Sequence, residues 1–148
     1  MSRALIAVLA GGLALASPAA VAGLLSATGK VIAIVAGELF VGEAEGHLDG
    51  HGTLFICSQS NPQLSCQGAF TSSAKLGGSG DLRCSDGSAG TFHFQRLTLR
   101  RGHGTGTLSR GPMSFAYGLS AEEAKPYLVL PAGKALSESG TELRMVDL

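Results

Sequence analysis

Beyond residue 22 the apolar side chains recur mostly at every second position, the period of a strand with one buried face. Phe40, Ala44 and Leu48 alternate with Glu43, Glu45 and His47, which points the first set inward. Leu54 and Ile56 share a parity, as do Leu64, Cys66, Gly68 and Phe70. Leu82 goes with Cys84 and Phe92 with Phe94, while Met113, Phe115, Tyr117 and Leu119 make a last apolar row. Lys30 to Val35 and Glu38 to Leu48 add a strand pair around Gly37.

Glycine punctuates this pattern. The 22 glycines are about twice the average usage. Gly-x-Gly-(Thr/Asp)-Leu occurs three times, starting at Gly50, Gly78 and Gly104, and each copy is followed by a glycine and an aromatic run. Ser85-Asp86-Gly87-Ser88 and Arg110-Gly111-Pro112 read as hairpin turns, and Ser60-Asn61-Pro62 opens a longer one. The pattern predicts an all-β chain of about eight strands in antiparallel succession. Such a meander hides its edges by curling into a small barrel or a two-layered sandwich. Gly42 and Gly46 inside strands permit the coiling that closure needs.

The last thirty residues differ in texture. Ser120-Ala121-Glu122-Glu123-Ala124 has a capping-box start and predicts one helical turn, stopped by Pro126. Tyr127 to Leu130 and Thr141 to Val146 read as short strands. This tail, residues 119–148, is too short for a second domain and is expected to cover an edge or a mouth of the sheet.

At the other terminus, Met1-Ser2-Arg3 precedes an apolar stretch over residues 4–16, and Ala20-Val21-Ala22 offers the small-x-small pattern of a cleavage site. Thirteen helical residues span about 20 Å, short of the roughly 30 Å hydrocarbon core of a bilayer. Residues 1–22 therefore read as a signal peptide, residues 23–118 as the β-meander, and the mature protein as periplasmic or secreted.

Export places Cys57, Cys66 and Cys84 in an oxidising compartment, where a disulfide is the default. Their spacing matches no zinc or Cys-x-x-Cys motif. By parity Cys66 and Cys84 face the core and Cys57 faces outward with His51 and Thr53, which favours Cys66–Cys84 with Cys57 as a free thiol. The rival pairing Cys57–Cys66 would staple the hairpin around Asn61-Pro62.

Eleven Lys and Arg balance eleven Asp and Glu, which argues against a wholesale nucleic-acid binder. The distribution is uneven. Residues 31–74 carry Glu38, Glu43, Glu45 and Asp49 with no Lys or Arg, whereas residues 75–118 carry six cations against two carboxylates. Arg96, Arg100, Arg101 and Arg110 form a candidate anion-binding patch, set against the ordinary reading of a solvated strand-end loop. His47, Asp49 and His51 surround one turn and are weak candidate ligands for a transition metal. Gly102-His103-Gly104-Thr105-Gly106 lacks the lysine and the following helix of a phosphate-binding loop. His93 reads as a surface residue, and no nucleophile elbow or His-Glu-x-x-His is present. The strands, of about six residues, fall short of the 9–11 that a membrane-spanning barrel needs.

Cys66-x-Gly68-x-Phe70, Gly78-x-Gly80, Cys84-x-Asp86-Gly87, Gly90-x-Phe92-x-Phe94 and Gly104-x-Gly106 together resemble a pattern in small exported proteobacterial glycine-rich β-meander proteins of uncharacterised function. The resemblance spans residues 38–118. It implies the Cys66–Cys84 pairing, because those positions carry the pattern, and it implies no activity.

The sequence thus predicts an exported, non-catalytic β-barrel that binds an unknown protein or envelope component. It needs no cofactor, binds no nucleic acid and is not an integral membrane protein once processed. One alternative is a lipocalin-like carrier of a small apolar ligand, with a lumen lined by Phe70, Phe92, Phe94, Phe115 and Tyr117. A second is a metal-dependent enzyme built on the His47/Asp49/His51 turn.

Overall fold

The computed structural model describes residues 26–73 and 75–148, so the expected signal peptide lies outside the described residues. Strands β1 (Ser26–Val35), β2 (Glu38–His47), β3 (His51–Ser58), β4 (Ser65–Ser73), β5 (Gly77–Cys84), β6 (Ala89–Thr98), β7 (Arg101–Leu108) and β8 (Gly111–Tyr117) follow one another as antiparallel hairpins. β8 then pairs with β1, with Ala33 opposite Phe115, and the sheet closes. Closure decides for the barrel over the sandwich and leaves none of the eight strands with an open edge. The strands run from seven to ten residues, longer than expected, because the ladders continue through the glycines.

A meander sends its turns alternately to two ends. Ala36-Gly37, residues 59–64, residues 85–88 and Ser109-Arg110 lie at one end; Leu48-Asp49-Gly50, Lys75-Leu76, Leu99-Arg100 and Gly118 lie at the other. The β1–β2 turn places Ala36 at φ 50° and Gly37 at φ 80°, the two left-handed residues of a tight hairpin whose twist suits the strands.

The inward row differs in bulk between the two ends. Towards the first end it carries Val35, Phe40, Ile56, Leu82 and Met113, all essentially inaccessible to solvent. Towards the second it carries glycine and alanine, among them Ala44, Gly46, Gly52, Gly78 and Gly102, with aromatic rings leaning across them. Phe70 meets Phe94 edge-on at 5.4 Å, Phe94 meets Tyr117 at 5.7 Å, and Phe92 meets Phe115 at 5.6 Å. The barrel is therefore filled at one end and hollow at the other.

The disulfide joins Cys66 and Cys84, direct cross-strand partners on β4 and β5. Cys57 has the opposite parity, stays a free, half-buried thiol, and the pairing Cys57–Cys66 does not form.

The tail forms a second core on the outside of the barrel. Ser120 caps the short helix α1 (Ala121–Ala124) through the expected capping box, with Glu123 N donating to Ser120 Oγ and Ser120 N to Glu123 Oε1. A 3-10 turn (Lys125–Tyr127) and a two-stranded ribbon, β9 (Lys134–Ser139) and β10 (Glu142–Asp147), follow. Leu119, Ala124, Leu128, Leu136 and Leu143 pack on Ile32, Ile34, Leu39 and Ala116 of the outer wall. This is why Val31–Val35 is buried on both faces.

Four expectations are corrected. The tail covers the outer wall, since a closed barrel offers no edge. Tyr127 to Leu130 is not a strand: Pro126 sets a 3-10 turn, and Val129 N then donates to Ser114 Oγ at 2.9 Å. Leu119 leaves the lumen row because Gly118, at φ 68°, turns the chain outward. Leu48 does not point inward; β2 ends at His47 and the leucine stands 78% exposed on the turn.

Candidate functional site

The hollow end encloses a cavity of about 200 Å³. Phe70, Phe92, Phe94, Phe115 and Tyr117 all line it, as the carrier reading of the sequence expects. Leu54, Val31 and Ala44 complete the apolar wall, and Ser26, Leu48, Leu99 and Arg100 stand around the opening. Small inward residues shape the space: Gly46 leaves the wall open beside the Phe70 ring, while Gly52 and Gly102 make room for the Phe70 and Tyr117 rings, which lie where a Cβ would stand. An engineered cavity of about 150 Å³ with similar lining takes up benzene, so this volume suits a ring or the end of an acyl chain.

Two polar groups enter the apolar wall. Arg96 continues the inward row of Phe92 and Phe94, and a register shift between Arg96 and Thr98 marks a bulge just beyond it. Such bulges re-aim strand ends. The guanidinium is fixed by three donations: Nε to Ser73 O at 3.0 Å, Nη1 to Leu99 O at 2.6 Å, and Nη2 to Ser72 Oγ at 2.7 Å. Beside it lies Tyr117, whose ring covers Gly102. The Tyr117 hydroxyl is, among the described residues, the one buried side-chain polar atom with no hydrogen-bond partner. Burial pushes its pKa up, with the Arg96 charge opposing, so the phenol keeps its proton and remains a donor at neutral pH.

The four arginines of the candidate anion patch are not brought together. Arg96 and Arg100 reach the cavity. Arg101 pairs with Glu123 on the outer wall. Arg110 sits at the filled end, where Nη2 donates to Glu38 Oε2 at 3.0 Å and Nε approaches Asp86 Oδ2 at 3.7 Å. Ser58 and Ser60 also donate to Glu38. Burial raises the Glu38 pKa, but the hydrogen bonds from Ser60, Ser58 and Arg110 outweigh it and hold the carboxyl below its ordinary value.

His47, Asp49 and His51 do share one turn. Asp49 accepts from His51 N at 2.9 Å and faces the His51 ring at 3.4 Å, and both side chains are about two-thirds exposed. Among the described residues no group of three or more His, Cys, Asp or Glu is placed to hold a metal ion. His93 is exposed on the outer wall within 3.3 Å of Thr105 Oγ1. No described helix is long and apolar enough to cross a membrane. The barrel's outer wall carries Glu43, Glu45, Gln67, Arg83 and Thr91 where a membrane barrel would need an apolar band.

Sequence reasoning placed Arg96 in a loop cluster and missed its inward parity, although the run Phe92, Phe94, Arg96 held the signal. It also missed Leu48, Leu76 and Leu99 as a set, since nothing in one dimension gathers three turns at one end. Comparison with protein-family models, curated proteins and solved structures finds no match for this chain.

Proposed function

We propose that the protein is a non-catalytic binding barrel that takes a small apolar molecule bearing a hydrogen-bond-accepting head, such as a carboxylate, into its hollow end. One observation carries this reading: the unpartnered Tyr117 hydroxyl, buried in an aromatic wall beside a fixed guanidinium. A buried donor without an acceptor costs about 1–3 kcal/mol, and an acceptor brought by a ligand removes that cost. Arg96 adds a charge-assisted partner for an anionic head, while the rings take the apolar body. Of the two non-enzymatic readings of the sequence, a module for a protein or envelope component and a carrier of an apolar ligand, the cavity supports the carrier. The signal-peptide pattern and the disulfide support a role outside the cytoplasm.

Displacement of a fluorescent medium-chain fatty acid from the chain beginning at Gly23 tests this. Saturable binding that Ala44→Leu abolishes, by filling the cavity, is the expected result. Absence of binding, or binding that Ala44→Leu leaves untouched, refutes the reading.

A further inference from the structure

We infer that the hollow end of the barrel docks on an anionic lipid bilayer. Three of its turns each carry an exposed leucine: Leu48 at 78%, Leu76 at 81% and Leu99 at 65%. The turns of the filled end carry Asn61, Pro62, Ser85, Asp86, Ser109 and Arg110 in their place. Exposed leucines are ordinary singly; three on successive turns around one opening form a patch.

The charges beside these leucines select the partner. Lys75 precedes Leu76 and Arg100 follows Leu99, and neither cation has a carboxylate partner among the described residues. Asp49, the carboxylate beside Leu48, accepts from His51 N and stands 3.4 Å from its ring, and Glu123 of the neighbouring α1 is paired with Arg101. Three leucine tips, two of them flanked by unpaired cations, match the interface of an anionic bilayer, where the apolar side chains enter the acyl boundary and the cations meet phosphates. Lys and Arg reach headgroups while their stems lie along apolar surface. This docking rests on the turns alone and holds whether or not the cavity takes a ligand. Where both hold, an apolar molecule passes from bilayer to lumen without crossing water.

The test uses the chain from Gly23 onward, which contains every described strand and leaves out the apolar stretch over residues 4–16 with its own lipid affinity. Co-sedimentation with vesicles of mixed phosphatidylglycerol and phosphatidylcholine should show binding that high salt weakens, and pure phosphatidylcholine should bind at least about tenfold less. Each leucine is worth about a factor of ten, so the triple variant Leu48→Ser, Leu76→Ser, Leu99→Ser should lose roughly a thousandfold. Lys75→Glu with Arg100→Glu should lose at least about tenfold on the mixed vesicles alone. Circular dichroism and thiol counting verify folding; if the leucine variant misfolds, the charge-reversal pair decides. Wild-type chain left in the supernatant, equal binding to both vesicle types, or variants that bind like wild type would each overturn the proposal. A rim built for a protein partner gives the first of these outcomes. Fatty-acid displacement in vesicle-free solution is scored separately, so the carrier reading and the docking surface fail independently.

Discussion

The ring of Phe115 lies over the Cα of Gly104 on the neighbouring strand, so close that a Cβ there would come 2.5 Å from the ring edge. The same Cβ would strike the carbonyl oxygen of His93 on the other side. Glycine is thus required at this position for room. Gly104→Ala should destabilise the barrel by about 2–3 kcal/mol, as overpacking of a filled site does. Adding Phe115→Leu should recover only part of it, because the His93 carbonyl stays. Urea midpoints of the three proteins check this; full recovery would assign the whole effect to the ring.

The cysteines make a sharper contrast. Cys66 and Cys84 close a separation of 18 residues, for which the chain-entropy model gives about 3 kcal/mol. Replacing both with alanine should lower stability by about that amount. Cys57→Ser, on the outer parity, should change it by less than about 0.5 kcal/mol. Mass mapping of the oxidised protein should find one alkylatable thiol, at Cys57.

Much of this architecture was legible in the sequence, and its errors have a common cause. Period-two alternation fixes which face a strand residue takes, so Cys66, Cys84 and the five lumen aromatics were placed by it. It fails where the strand stops, as at Leu48, or where a left-handed glycine turns the chain, as at Gly118 before Leu119. The unbroken apolar run Val31–Val35 marks a strand buried on both faces. What covers it, the β9–β10 ribbon, lies a hundred residues away and left only a weak local pattern. The cavity was harder still. Its existence depends on where glycines fall relative to rings on adjacent strands, a register property that no single strand reveals.

The carboxylate at the filled end predicts an acid-labile contribution. Glu38 is held below its usual 4.5 in the folded protein. The unfolded chain therefore binds a proton at higher pH than the native one, and stability is lost as pH falls. The contribution should be complete above pH 4.5 and disappear as pH drops through the lowered native value. Urea midpoints measured from pH 6 to pH 3 should fall, and Glu38→Gln should flatten that slope while weakening the fold at neutral pH. An unchanged slope in the variant would place the acid sensitivity elsewhere.

The outer core has its own test. Leu143 is buried between the ribbon and the wall, and Gln59 Nε2 donates to its carbonyl at 2.9 Å. Leu143→Ala should cost about 2 kcal/mol and leave cavity binding intact, since its contacts lie outside the lumen. Ending the chain at Gly118 should expose Ile32, Ile34 and Leu39 together and drive association, visible by light scattering.

The Tyr117 hydroxyl separates stability from binding, because it makes no hydrogen bond in the ligand-free fold. Its burial without a partner is a cost, and Tyr117→Phe removes that cost while keeping the ring over Gly102. Ligand-free stability should therefore rise, by about 1 kcal/mol, against the usual direction for a substitution in a core. Affinity for a fatty acid should fall by about tenfold, while affinity for the matching alkane, which brings no acceptor, should hold. Calorimetric titration of both ligands into both proteins measures all four terms. A variant that is less stable, with the two ligands weakened equally, would mean the hydroxyl is already satisfied and that the lumen does not read a polar head.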